Sequence, residues 1–240
     1  MIIIAGGRGE RLRPITNFIP KPMIEVAGKP IIEHILIHAK KYGITEFIFS
    51  LCYLHKKISS YFGKGKKWGV NIKYTYERHD LPQGSAGAVL KAKKFINDTF
   101  IVTYGDILRD LNIGLMINEH KKNKPLATIN IYKRYGKNPK SMIFFDKNSR
   151  VTDFKERPKK QDITDNYTWA NGSFYIFEKG IFDYIAKDIF LDFGQNVFPK
   201  LLKANKLIFV YKSTNYFIDI GNLEKLRKAR KTFHDSLKLG

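Results

Sequence analysis

A single cysteine among 240 residues excludes an internal disulfide. That residue, Cys52, follows the apolar run Phe47-Ile48-Phe49-Ser50-Leu51, where a small buried thiol packs well, and it is not read as a catalytic nucleophile. No apolar run approaches the roughly 18–20 residues that span a bilayer. Met1 opens into a short apolar strand and not into a charged leader with a cleavage site, so a cytoplasmic protein with no membrane partner is expected. Histidine is scarce: there are six, and although His34 and His38 share a helix face they lack a third ligand, so a partly buried helix is expected there and not a metal centre. Acidic residues are the remaining shortage, 22 against 43 Lys and Arg, which leaves a formal net charge of +21 and the field of a protein that attracts polyanions. The lysines are spread through almost every segment, in pairs such as Lys40-Lys41, Lys93-Lys94 and Lys121-Lys122. No finger, homeodomain or RNA-binding signature accompanies them, so a solvated lysine-rich surface is preferred over a nucleic-acid partner.

Apolar side chains make up 43% of the chain and aromatics 14%, enough to close a core. Met1 to Ala5 is fully apolar and breaks at Gly6-Gly7, as a strand buried on both faces does. Ile32, Ile35, Leu36 and Ala39 recur at helical spacing within 31–42, and the apolar run 46–51 follows. A short helix at 54–62, a strand at 70–77, a helix at 86–95 and a strand at 100–104 continue the alternation. Such alternation predicts an α/β fold with an open, mostly parallel sheet and helices on both faces, whose ligands sit beyond the carboxyl ends of the strands. After Leu111 the segments 126–132, 141–146, 151–155 and 169–177 read as strands, which implies a smaller β-rich lobe. Helices at 179–185 and 196–203, strands at 207–211 and 216–219, and a basic helix at 223–233 complete the expectation. One domain, 1–240, is expected, with the change of pattern dividing it into halves at 1–111 and 112–240.

The sharpest local feature is Ala5-Gly6-Gly7-Arg8-Gly9-Glu10-Arg11-Leu12-Arg13-Pro14, directly after the first strand. Glycines let backbone N–H groups approach phosphate oxygens, and arginines add charge-assisted bonds. The spacing fits neither the dinucleotide fingerprint nor the P-loop. Next comes Pro20-Lys21-Pro22-Met23, a lysine stiffened on both sides. Either feature alone also fits a plain tight turn.

Together with Val26-Ala27-Gly28-Lys29-Pro30 they closely resemble the signature of the sugar-1-phosphate nucleotidyltransferases, the pyrophosphorylases that make nucleotide sugars. The resemblance runs from about Ile2 to Arg230 through Leu81-Pro82-Gln83-Gly84-Ser85-Ala86-Gly87, Thr103-Tyr104-Gly105-Asp106, Phe154-Lys155-Glu156-Arg157-Pro158, Ala170-Asn171-Gly172 and Phe217-Ile218-Asp219-Ile220-Gly221. It implies a Rossmann-like, GT-A-like fold, a nucleoside triphosphate bound by the half at 1–111, a sugar 1-phosphate bound by the half at 112–240, Mg²⁺ as cofactor, and a homodimer or larger assembly formed through the second half. Arg11, Lys21 and Asp106 would be catalytic, and Asp106 and Asp219 would bind the metal. Ala5, Gly6, Gly7, Gly9, Arg11, Lys21, Gln83, Gly84, Ser85 and Gly87 would bind the nucleotide. Gly105, Glu156, Arg157, Asn171 and Gly172 would line the sugar pocket.

The chain departs from the pattern at Glu10, Arg157 and Phe217, where threonine, lysine and tryptophan are usual. None of these removes a metal ligand. The Gly84–Gly87 loop looks closest to guanylyltransferases acting on mannose 1-phosphate or a manno-heptose 1-phosphate. Thymidylyl- or uridylyltransferases acting on glucose 1-phosphate, and an amino-sugar substrate, stay open. A regulatory relative that binds nucleotide sugars without turnover, and a basic nucleic-acid-binding module, are the readings from other classes.

Overall fold

The computed structural model describes residues 1–78, 80–81, 83–136, 139–163, 167–213 and 216–236. The chain runs through β1 (Ile2–Ala5), single turns at Glu10–Leu12, Ile15–Asn17 and Lys21–Met23, the hairpin β2 (Glu25–Val26) and β3 (Lys29–Pro30), α1 (Ile31–Lys40), β4 (Glu46–Leu51), α2 (His55–Phe62) and β5 (Asn71–Tyr76). Then come α3 (Gly84–Lys91), β6 (Phe100–Tyr104), β7 (Ile107–Arg109), α4 (Ile113–Asn123), β8 (Ala127–Tyr135), β9 (Ser141–Phe145), β10 (Val151–Glu156) and β11 (Tyr167–Phe177). The chain finishes with a turn at Lys179–Tyr184, α5 (Phe198–Lys203), β12 (Ile208–Ser213), β13 (Phe217–Asp219) and α6 (Leu223–Ser236).

These elements form two compact units, each assembled from separate stretches of chain. The first comprises residues 1–81, 104–113 and 215–240. In it β1, β4 and β5 lie parallel in that order, with Ile2 against Ile48 and Phe49 against Tyr74. Ile2, Ile3, Phe47, Phe49 and Leu51 are all buried, so the unbroken apolar runs do mark strands covered on both faces. Cys52 lies one residue beyond β4 and is partly exposed, not buried as its apolar neighbours suggested. A second apolar cluster joins Leu12, Ile24, Val26, Ile31, Leu108, Ile218, Ile220 and Leu226. It binds the segment after β1, the small hairpin, the antiparallel pair β7–β13 and α6 into one block.

The second unit comprises residues 82–103 and 114–214. Its main strands run in the order β12-β8-β11-β6, with β12 parallel to β8 and β11 antiparallel to both β8 and β6. β9 and β10 form a separate antiparallel pair. The core here is aromatic: Tyr175, Phe177, Phe193 and Phe198 pack ring against ring at 5.0–6.3 Å. The helix α4 was not expected from the sequence. Its buried face carries Ile113, Met116 and His120, and the histidine, bonded to Thr128 and Glu178, breaks an otherwise readable apolar stripe. Of the two helices expected near 179–203, the first is a 3-10 segment and the second is preceded by a wide turn at Phe193–Val197. Among the described residues no helix is long and apolar enough to cross a membrane.

Candidate active site

In the first unit, β1 delivers the chain to Gly6 and Gly7, and Gly9 then adopts φ +65°. A Cβ on Gly9 would sit 2.9 Å from Thr16 Cγ2 and 3.2 Å from Lys21 Cβ, so only glycine lets the turn close onto the lysine. Thr16 donates its hydroxyl to Gly9 O at 2.9 Å and fixes that closure. Pro20 and Pro22 flank Lys21 in its own short turn, as the sequence suggested.

Lys21 is directed at two carboxylates. Its ammonium donates to Asp106 Oδ2 and lies 3.8 Å from Asp219 Oδ1. The two aspartates meet because β7 and β13 pair antiparallel, with Asp219 opposite Ile107, and because Ile220 N donates to Asp106 O at 3.1 Å. All three side chains are largely buried, Lys21 being 12% exposed and Asp219 14%. A Cβ on Gly221 would lie 3.2 Å from Arg11 Nη2 and 3.4 Å from Asp219 Oδ1, which places the guanidinium over Gly221 beside the same carboxylate. Gly105 donates its N–H to Ile4 O at 2.8 Å and holds the Asp106 turn against the end of β1. Thus Gly9, Arg11, Lys21, Gly105, Asp106 and Asp219, far apart in sequence, are brought into one place.

The site also holds a residue the motifs did not flag. Lys225 Nζ lies 3.4 Å from Asp219 Oδ2. Its position is set by Asn222, which starts α6 and accepts the Lys225 N–H on Oδ1 at 2.9 Å.

Among the described residues no group of three or more His, Cys, Asp and Glu is arranged to hold a metal ion. Two neighbouring carboxylates nevertheless suit Mg²⁺, a hard cation that takes one or two carboxylates and completes its shell with phosphate and water. The crowd of cations at Asp106 and Asp219 shows that this carboxylate pair attracts positive charge in the folded chain. The residues present therefore fit the ion.

In the second unit Gln83, Gly84, Ser85 and Gly87 open α3; Pro82 of the same motif lies outside the described residues. Gly84 has φ +74°, and a Cβ there would run into the Leu191 backbone, with Leu191 C at 2.8 Å. Strand-like bonds fix the approach: Leu191 N donates to Gln83 O and Ala86 N to Leu191 O, both at 2.9 Å. Ser85 donates its hydroxyl to Asp192 Oδ2 at 2.8 Å and accepts from Phe193 N at 3.0 Å. Asp192 Oδ1 in turn accepts from Gly194 N and Gln195 N. Asp192 was missed by sequence reasoning, because no motif surrounds it.

Glu156 and Arg157 lie on a cavity of about 510 Å³ with Lys159, Gln161, Asp162 and Gln195 on its wall. Burial first, then the Asp192 charge, pushes the Glu156 carboxyl up to about 7, while Arg157 and Lys140 pull it back. A Cβ on Gly194 would come within 2.5 Å of Glu156 Oε2, so that glycine makes room for the carboxylate. Arg157 is exposed and takes the left-handed conformation at φ +51°. Asn171 donates from Nδ2 to Tyr175 Oη at 2.8 Å and accepts from Ser173 N at 2.9 Å. Its amide therefore shapes the irregularity of β11 between Asn171 and Tyr175. A Cβ on the neighbouring Gly172 would strike Asn130, whose carbonyl oxygen would be 2.8 Å away.

The α/β fold agrees with comparison to known proteins. The nucleotidyl transferase family model matches residues 1–236, and the chain belongs to that family. Its relatives place it more narrowly among the sugar-1-phosphate nucleotidyltransferases, enzymes of GT-A-like fold with a mostly parallel central sheet and helices. It is 36% identical over 225 residues to a D-glycero-alpha-D-manno-heptose 1-phosphate guanylyltransferase of Campylobacter jejuni, covering 92% of this chain and 93% of that protein. It is 32% identical over 239 residues to a UTP–glucose-1-phosphate uridylyltransferase of a Synechocystis strain, covering 92% of this chain but only 60% of the relative. The crystal structure of HddC from Yersinia pseudotuberculosis complexed with GMP-PN matches with a TM-score of 0.80 at 26% identity, covering 97% of this chain and 98% of that one.

Proposed function

We propose that this protein condenses a sugar 1-phosphate with a nucleoside triphosphate, releasing pyrophosphate, and that its substrates are GTP and mannose 1-phosphate or a manno-heptose 1-phosphate. The observation that carries the reading is the meeting of Asp106, Asp219, Lys21 and Arg11 beneath a glycine turn. A triphosphate attacked by a sugar phosphate gathers several negative charges, so the task is mainly positioning and charge neutralisation, with no protein nucleophile needed.

The backbone of Ala5, Gly6, Gly7 and Gly9 would cradle the nucleotide phosphates, and Arg11 and Lys21 would neutralise them. Asp106 and Asp219 would hold Mg²⁺, which would supply positive charge against the negative charge gathered by the two phosphate substrates. A phosphate oxygen of the sugar 1-phosphate attacks the α-phosphorus in line, forming the new P–O bond as the bond to pyrophosphate breaks. Lys21 changes partner in this reading, giving up the carboxylates to meet the phosphate charge. Gln83, Gly84, Ser85 and Gly87 would take the base, and Gly105, Glu156, Arg157, Asn171 and Gly172 the sugar. Guanine is supported by the likeness of the Gly84–Gly87 loop to guanylyltransferases and by the 36% identity of the chain to the heptose 1-phosphate guanylyltransferase of Campylobacter jejuni.

Pyrophosphate release with Mg²⁺ tests this, pairing each nucleoside triphosphate with mannose, manno-heptose, glucose and N-acetylglucosamine 1-phosphates. Turnover is expected with GTP and a manno-configured sugar. Turnover with UTP or dTTP and glucose 1-phosphate would keep the reaction and overturn the substrates. Nucleotide binding without turnover on any sugar would favour a regulatory relative.

A further inference from the structure

Lys225 sits in the first turn of α6, at the third residue after the Asn222 cap, where the exposed N–H groups of a helix already present positive charge and a carboxylate is the favoured side chain. A lysine placed there needs a compensating partner, and the partner is Asp219, 3.4 Å away through Oδ2. Lys21 stands near the other oxygen of the same carboxylate, at 3.8 Å from Oδ1. Asp219 is thus flanked on both oxygens by ammonium groups. Lys21 is held among buried groups, whereas Lys225 is 36% exposed and joined to a helix that need not move for its side chain to swing away.

We propose that Lys225 is a resident counter-ion of Asp219 that competes with the divalent cation for this carboxylate and so sets how much metal the enzyme requires. The inference rests on the reading of Asp219 as a metal ligand. The ammonium neutralises Oδ2 while the metal is absent. A divalent ion arriving at the same oxygen meets that ammonium as a like charge, so the side chain must leave Asp219 before the ion is seated. Removing the positive charge leaves Asp219 available to the ion, at lower electrostatic cost.

The test is direct Mn²⁺ binding to the full chain without substrates, read by the loss of the free-ion electron paramagnetic resonance signal, alongside the Mg²⁺ concentration for half-maximal pyrophosphate release. Lys225→Met and Lys225→Gln should each tighten Mn²⁺ binding about threefold to tenfold, the span expected for a half-exposed charge partly screened by solvent. Both variants should lower the Mg²⁺ requirement in step, and Lys225→Arg should stay near the parent protein. Unchanged Mn²⁺ affinity in both neutral variants would overturn the proposal, as would weaker binding, which would make Lys225 a support for the carboxylate and not its competitor. Asp219→Asn separates the two levels of the argument. If it leaves Mn²⁺ affinity untouched, the metal role of Asp219 fails; if it weakens binding while the Lys225 variants do nothing, only the competition fails.

Discussion

Lys21 holds its ammonium between two carboxylates that would repel each other without it. Its removal should therefore cost stability as well as chemistry, seen as a lower melting temperature of a still folded protein. Lys21→Ala and Asp106→Ala are each expected to cut turnover by at least about 10²-fold, the scale seen when one positioned charge or donor is lost from a transition state, with unchanged circular dichroism. Near-normal turnover in either would overturn these role assignments. Glu156 gives a prediction in pH. Its carboxyl is raised to about 7 from an ordinary 4.5, so the stability it contributes is full below about 4.5 and is lost as pH rises through about 7. Denaturant titrations across that window should show a decline that Glu156→Gln flattens. The KM for the sugar 1-phosphate should fall as pH rises through about 7, since the ionised carboxylate is the better acceptor for sugar hydroxyls, and the glutamine variant should lose this dependence. Lys21 and Asp106 were singled out in the sequence by the resemblance of their motifs to a family signature, and the structure brings the two side chains together. Lys225 and Asp192 were not, because each owes its place to a partner distant in the chain or to the cap of its own helix.

At the level of elements, the start of α3 is tied to the loop after Ile189 through Ser85 and Asp192. Ser85→Ala would strip Asp192 Oδ2 and the Phe193 N–H of a partner in a largely buried place, at a cost of about 1–3 kcal/mol. Equilibrium unfolding should register that loss. Steady-state kinetics should show a rise in KM for the nucleotide, because the serine lies in the proposed base loop; a rise confined to the sugar 1-phosphate would reassign that loop. The strand β11 carries a second constraint at Gly172, where a Cβ collides with Asn130. Gly172→Ala should destabilise by about 1–3 kcal/mol through overpacking, measurable as a lower melting temperature. Periodicity found β1, β4, β5, β6, β9 and β10 almost to the residue, since apolar runs and alternation are strong signals. It missed β7 and the β2–β3 hairpin, which at two or three residues each carry no period. The reading of 179–185 as an α-helix gave way to a 3-10 segment because Ile181 and Phe182, adjacent and both buried, suit a tighter turn on the aromatic core.

On the scale of the whole molecule the net charge of +21 surrounds a proposed site for two anionic substrates. Such a field raises encounter rates with anions and is screened by salt. Raising KCl from about 50 to about 300 mM should lower kcat/KM several-fold, with kcat less affected. A salt-insensitive kcat/KM would mean that the lysines serve solubility alone. The α/β character was legible from the alternation of elements. The sheet of the second unit, where β11 runs antiparallel to both of its neighbours, was not, because strand direction depends on connections that composition does not encode.

The first unit is stitched from three stretches, and its two aspartates belong to the second and the third of them. A ribosome making this protein would expose the glycine turn and Lys21 early, and Asp106 midway. Asp219 emerges only after residues 114–214 of the second unit have been made. A growing chain can therefore bury β1 and β4 and still own half of its proposed metal site. On the proposed reading, a chain cut before β13 lacks one of the two carboxylates and should release no pyrophosphate.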